Sequence, residues 1–314
     1  VTIASGEKEA TVRSESAAGA EGSELAPAPP KPSESAEDAA RRLDAPEGAP
    51  AGRDLVSEEE DAQTVALELR GVAKTYRGEP AVAGIDLTVP AGAFYGLVGP
   101  NGAGKTTTLS MISGLLRPDR GDIRVFDVDA RQHPRDAKRL MGVLPDRMRT
   151  FDRLSGRQLL HYVGSLRGLR HADVRERADE LAESFDLVPA LGRAVSDYST
   201  GMTKKLMLAC AMIHAPRLLV LDEPFESVDP VSSRKLLDVL RAYVDGGGTV
   251  VLSGHSMSLI ERMCSRISVL VTGQVLAEGT VDEVRGEMTL EQRFVDLSGG
   301  VEGGGLEWLH TSSD

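Results

Sequence analysis

Residues Gly99-Pro100-Asn101-Gly102-Ala103-Gly104-Lys105-Thr106-Thr107 fit the pattern GxxxxGK[ST] and follow an apolar run, Phe94-Tyr95-Gly96-Leu97-Val98. Few short segments constrain a chain more. The glycines let the backbone curl until successive N–H groups point at one phosphate, and the helix that follows adds its N-terminal dipole. Lys105 then reaches the β- and γ-phosphates, while Thr106 offers its hydroxyl to Mg²⁺. A chance glycine turn seldom has both a strand before it and a helix after it. Here Leu109, Ile112 and Leu116 recur at helical spacing beyond the loop. The segment implies an α/β fold that binds a nucleoside triphosphate.

A second signal is Leu218-Leu219-Val220-Leu221-Asp222-Glu223-Pro224, an apolar strand ending in two carboxylates. Asp222 at the strand's carboxyl edge can hold Mg²⁺, usually through water, and Glu223 beside it can polarise an attacking water. Alone, such a turn is often merely solvated; paired with the phosphate loop it points to hydrolysis. No Asn-Lys-x-Asp guanine-reading motif occurs, which favours ATP over GTP.

The rest of the chain agrees. Val65–Leu69, Ala81–Val89, Ile123–Phe126, Arg217–Leu221, Thr249–Ser253 and Ile267–Val271 read as strands, and residues 152–190 and Val231–Val244 as helical. Near-continuous apolar strands alternating with amphipathic helices imply a mostly parallel, buried sheet. The charged helical stretch, about 147–205, reads as an inserted second lobe. Cys210 and Cys264 lack any CxxC or histidine neighbours and read as packed thiols.

Residues 1–63 carry 15 acidic and 6 basic side chains, so most of the chain's net charge of −12 belongs to them. They are built from Ala, Glu, Ser, Pro and Gly, with too few large aliphatics to offset the entropy of ordering, and are expected to form a disordered acidic tail. The remainder is close to neutral, which argues against a nucleic-acid-binding face. No apolar run approaches the ~20 residues that span a bilayer, and the opening residues lack a secretory pattern. The chain is therefore expected to be soluble.

Further motifs carry a family resemblance. Tyr198-Ser199-Thr200-Gly201-Met202 stands before an apolar helix and resembles the Leu-Ser-Gly-Gly-Gln signature of ATP-binding cassette proteins. The order of phosphate loop, helical insertion, signature, acidic strand end and a histidine after the next strand, His255, is that family's order. The resemblance spans residues 65 to about 285. It implies a P-loop NTPase cassette with an antiparallel β subdomain beside the parallel core and an inserted α-helical lobe. It further implies that Tyr76 stacks on adenine, that His255 contacts the γ-phosphate, and that Ser199 and Gly201 touch the nucleotide of a second cassette subunit, in a homo- or heterodimer. Asp229, in Ser227-Val228-Asp229-Pro230, would lie in the loop joining the two sites.

Departures from the pattern matter. Tyr198, Thr200 and Met202 replace signature residues, and Asp146 stands where the family has a glutamine. An ionised Asp146 accepts hydrogen bonds and cannot donate one. It is expected to approach Mg²⁺, the alternative being a pairing with Arg147 or Arg149. These substitutions, and the closing segment Thr289–Leu297, are similar to those of the drug- and antibiotic-export branch. That branch implies a motor subunit, cytoplasmic and peripheral on the inner face of the cell membrane, bound to separate integral-membrane permease subunits. A cassette acting on the ribosome or DNA is the alternative. It is disfavoured because there is one cassette and no long heptad run between phosphate loop and signature. Deleting residues 1–63 should leave ATP affinity and melting temperature nearly unchanged; a large fall in melting temperature would show that the segment docks.

Overall fold

The computed structural model describes residues 64–146, 151 and 153–297. The acidic segment 1–63, Arg147, Arg149 and residues 298–314 lie outside the described residues, and with them the expectations made for the tail and the arginine pairing.

Strands β1 (Val65–Tyr76) and β2 (Glu79–Pro90) form an antiparallel hairpin. Its two-residue turn takes positive φ at both Arg77 (52°) and Gly78 (92°), as tight hairpin loops of this length favour. β1 runs well beyond Val65–Leu69 because shifts of register at Leu69/Val72 and after interrupt the alternation by which a strand is read in sequence. Then come β3 (Phe94–Val98), α1 (Lys105–Ile112), β4 (Arg120–Val125), the short β5 (Val128–Asp129), α2 (Pro134–Leu140) and β6 (Met141–Leu144). An antiparallel four-stranded sheet results, in the order β2-β1-β4-β5.

The helical stretch divides into α3 (Gly156–Leu166) and α4 (His171–Ser184). Gly168, at φ 81°, breaks the path between them. Ser155 begins α3 with a capping box closed by Gln158. α5 (Thr200–Met212) packs against α3 and α4 and runs back to β6. The chain continues through β7 (Leu218–Leu221), α6 (Pro230–Asp245), β8 (Thr249–Gly254), α7 (Met257–Met263), β9 (Arg266–Val271), β10 (Gln274–Thr280), α8 (Val281–Arg285) and α9 (Leu290–Leu297). These strands join β3 and β6 in a second sheet, ordered β10-β9-β3-β8-β7-β6, parallel except for the edge strand β10.

Both faces of this sheet are covered, which is why its strands are apolar throughout. Phe94 and Val98 face one core with Leu219, Leu221, Val250 and Leu252. Tyr95 and Leu97 face the other with Leu218, Val220 and Val251. The first core is closed by α5 and α6, through Leu206, Leu236 and Leu240; the second by α1 and the antiparallel sheet, through Leu109, Ile112, Leu67 and Leu87. Cys210 and Cys264 are buried free thiols, each pushed by burial up to about 12.

Tyr95 is fully buried, and its hydroxyl joins three strands: it donates to Glu278 Oε1 at 2.8 Å on β10 and shares a hydrogen bond with Ser268 Oγ on β9. Glu278 Oε1 also accepts the amide of Thr88 on β2. Burial, with the Glu278 charge adding to it, raises the phenol far above its ordinary pKa, so it stays a donor. Tyr95→Phe should cost about 1–3 kcal/mol, because it leaves the buried Ser268 hydroxyl without this partner; the midpoint of urea denaturation measures it.

Candidate active site

In-register parallel pairing brings four strand ends to one edge. Leu144 of β6 lies beside Leu221 of β7, Leu221 beside Leu252 of β8, and Val98 of β3 beside Gly254 of β8. Asp146, Asp222, Glu223, His255 and the phosphate loop follow directly from these ends. This is the crevice at the carboxyl ends of the strands where α/β sheets bind ligands.

The phosphate loop is shaped by its glycines. A Cβ at Gly99 would stand 2.2 Å from the carbonyl oxygen of Leu270. At Gly104, with φ 102°, it would stand 2.5 Å from that of Ala81. No other residue fits either position. Gly104 leads into α1, whose first turn carries Lys105, Thr106 and Thr107. Lys105 is buried and donates to the carbonyls of Gly99 (2.8 Å) and Pro100 (3.2 Å). Burial lowers its pKa, while the charges of Glu223 and Asp222 oppose the fall.

Asp222 is 5% exposed. Burial raises its carboxyl pKa, against hydrogen bonds from Ser253 and Thr106 that favour the ionised form. Ser253 Oγ donates to Asp222 Oδ1 at 2.6 Å and accepts the amide of Glu223 at 2.9 Å. One buried hydroxyl thus sets both acidic residues. Glu223 takes φ 47°, a left-handed conformation costing a non-glycine residue about 1–3 kcal/mol. His255 Nδ1 lies 3.1 Å from Glu223 Oε2, so imidazole and carboxylate orient each other across the crevice.

Tyr76, Asn101–Thr107, Asp146, Glu223, Glu226 and His255 line one cleft of about 740 Å³. Tyr76, 48% exposed, presents its ring at the mouth, with Lys74 Nζ 5.9 Å from its centroid. Thr106 and Asp146 also line an adjoining cleft, where they meet Asp222. These are hard oxygen donors with room for water and phosphate oxygens, a set that fits Mg²⁺ rather than a softer metal. Asp146 adds negative charge there, one of the causes that raise the Asp222 carboxyl. Ser199, Gly201 and Asp229 do not line either cleft. They gather elsewhere: Ser199 caps α5 and accepts the Met202 amide, Asp229 caps α6, and a Cβ at Gly201 would lie 3.7 Å from Asp229 Oδ2.

Comparison with known proteins bears on this geometry. The family model described as ABC transporter matches residues 82–226. The daunorubicin/doxorubicin resistance ATP-binding protein DrrA of Streptomyces peucetius is 41% identical over 225 residues, covering 72% of this chain and 68% of that protein. This chain belongs to the ABC transporter family. It is an ATP-binding subunit of that family, and an ATPase. The linearmycin resistance ATP-binding protein LnrL of Bacillus subtilis is 33% identical over 214 residues, covering 68% of this chain and 69% of its own length. A solved ATP-binding subunit of an ABC transporter superposes with TM-score 0.70 at 29% identity, over 74% of this chain and 99% of that one. A dimeric ATP-binding cassette bound to ADP and Pi shares the fold, with TM-score 0.63 at 22% identity over 68% and 98% of the two chains.

Within the cassette, three functional neighbours escaped the sequence reading: Ser253, Lys204 and Glu226. Ser253 had a signal, as the one hydroxyl at the buried end of Val250-Val251-Leu252-Ser253. Tyr198, unusual in the signature, has a structural reason: its hydroxyl donates to the Ala190 carbonyl at 2.7 Å, and Gly156 leaves room for it. Since burial disfavours the Asp222 carboxylate, Asp222→Asn should not lower the melting temperature of the ligand-free cassette, yet should reduce ATPase activity at least about 100-fold. Thermal melting and steady-state ATPase assays read the two effects separately.

Proposed function

We propose that this cassette is the Mg·ATP-driven motor of an exporter, completed by a second cassette and by separate permease subunits in the membrane. The observation that carries the reading is the division of its site residues. Lys105, Thr106, Asp146, Glu223 and His255 line one cleft, and Asp222 lines the cleft beside it that shares Thr106 and Asp146, whereas Ser199, Gly201 and Asp229 line neither. A signature that does not face its own phosphate loop has chemical use when it closes over a partner's nucleotide. That the fold neighbour with ADP and Pi is dimeric supports this arrangement.

In this reading the loop amides and Lys105 hold the phosphates, and Tyr76 offers its ring to adenine. Thr106 and Asp222 would hold Mg²⁺, with Asp146 in the same cleft. The ion, when bound, would supply positive charge that offsets the charge of the phosphates. Glu223 accepts the proton of the attacking water, and His255 keeps the carboxylate aimed at it. Among the described residues no helix is long and apolar enough to cross a membrane; in this reading the permease subunits supply the path. The resistance proteins DrrA and LnrL, named for daunorubicin, doxorubicin and linearmycin, support drug-like or antibiotic-like compounds as cargo moved outward from the cytoplasmic face.

Glu223→Gln tests the reading. The amide keeps shape but cannot accept the proton, so ATP should still bind while turnover falls about 100-fold or more. Gel filtration with Mg·ATP should then show a trapped dimer. Hydrolysis at the wild-type rate excludes Glu223 as the base, and a variant that binds ATP yet stays monomeric argues against the two-chain site.

A further inference from the structure

Lys204, on the second turn of α5, is only 6% exposed. A buried ammonium has three donors to satisfy and ordinarily finds a carboxylate. Lys204 instead spends two of them on main-chain carbonyls: Glu223 O at 2.7 Å and Glu226 O at 2.5 Å. These are the two ends of the turn that follows the catalytic strand, closed by the Glu226 amide donating to Glu223 O at 3.2 Å. The turn starts on Glu223 at φ 47° and is followed by Ser227 at φ 57°, both left-handed. Such a backbone keeps its shape only where its surroundings hold it.

The peptide units on both sides of the Glu223 Cα are held from different elements. Its amide is bonded by Ser253 of β8, and its carbonyl by Lys204 of α5. Between these two anchors the carboxylate has little freedom beyond its own side-chain rotations. The same helix begins at the signature, where Ser199 accepts the Met202 amide and Gly201 lies beside Asp229.

We infer that Lys204 is a positioning residue which ties the Glu223–Glu226 turn to α5, so that the signature end of that helix and the aim of the Glu223 carboxylate are set together. The inference rests on the two-chain reading above, in which the signature serves the partner's nucleotide and Glu223 serves its own. Lys204 would then link the two sites of a dimer within each chain: a signature displaced by its nucleotide moves α5, and α5 moves the catalytic turn. An apolar residue here could pack but would leave the Glu226 carbonyl without its ammonium partner. Burial lowers the Lys204 pKa, and the carboxylates of Glu226, Glu223, Asp146 and Asp222 oppose that fall.

The test compares Lys204→Met, which keeps length but removes every donor, with Lys204→Arg, which restores them, in full-length chain. Lys204→Met should lower kcat about 10–100-fold while KM for ATP changes less than about threefold, since it misaims a group without touching the nucleotide. Lys204→Arg should recover most of the lost kcat. A merely structural lysine predicts neither the kcat-specific loss nor the rescue. In the double variant with Ser199→Ala, the losses in kcat should be smaller than the product of the two single losses, as expected of coupled residues. Should Lys204→Met fail to fold, Lys204→Gln takes its place, with an intermediate kcat expected. A folded Met or Gln variant with wild-type kcat overturns the inference, as does a loss confined to KM or fully multiplicative losses in the double variant. Glu223→Gln is measured in parallel. Its inactivity beside a fully active Lys204→Met removes this inference alone, whereas an active Glu223→Gln removes the assignment of the base.

Discussion

The register of the parallel sheet is the constraint on which the site depends. β3, β8, β7 and β6 pair without slippage, so their carboxyl ends reach one edge together. Because alternate residues face different cores, a shift of one position would turn Phe94, Val98, Leu219 and Leu221 toward the side built for Tyr95, Leu97, Leu218 and Val220. The packing therefore holds the register, and the register holds Asp222, Glu223, His255 and the phosphate loop within reach of one another. Catalytic geometry here is a by-product of side-chain packing on two buried faces.

At that edge the chain collects charges that burial disfavours. Asp222 has its carboxyl pushed up and Lys105 its ammonium pushed down, each mainly by loss of water. Groups already stripped of solvent interact strongly with a phosphate chain or a dication and need little reorganisation when one arrives. Ser253 keeps the arrangement in order by serving two acidic residues with one hydroxyl, as donor to Asp222 and acceptor from Glu223. Asp146 makes the pocket more acidic than the glutamine of the family pattern would, increasing the charge that Mg²⁺ has to balance.

The altered signature also has a physical account in part. Tyr198 exchanges an apolar contact for a hydroxyl that reaches Ala190, binding the signature to the 3-10 turn after α4 and filling the space that Gly156 leaves. Met202 packs against the core while Ser199 caps the helix. Nothing in the structure explains Thr200, which is exposed.

Much was legible in the sequence because local chemistry dictates it. The spacing of glycines, lysine and threonine over Gly99–Thr107 shows a phosphate loop, and an apolar strand ending in Asp222-Glu223 declares its own role. Elements whose pattern is broken were harder to read. β1 lost its alternation to register shifts, and the helical stretch hid its break at Gly168. What only the tertiary structure decided are contacts between residues distant in the chain: His255 against Glu223, Ser253 between the Asp222 carboxylate and the Glu223 amide, and Lys204 on the carbonyls of the catalytic turn. No local pattern marks a lysine that bonds to main chain nineteen residues away, because its partners carry no side-chain signature and are brought to it by packing alone.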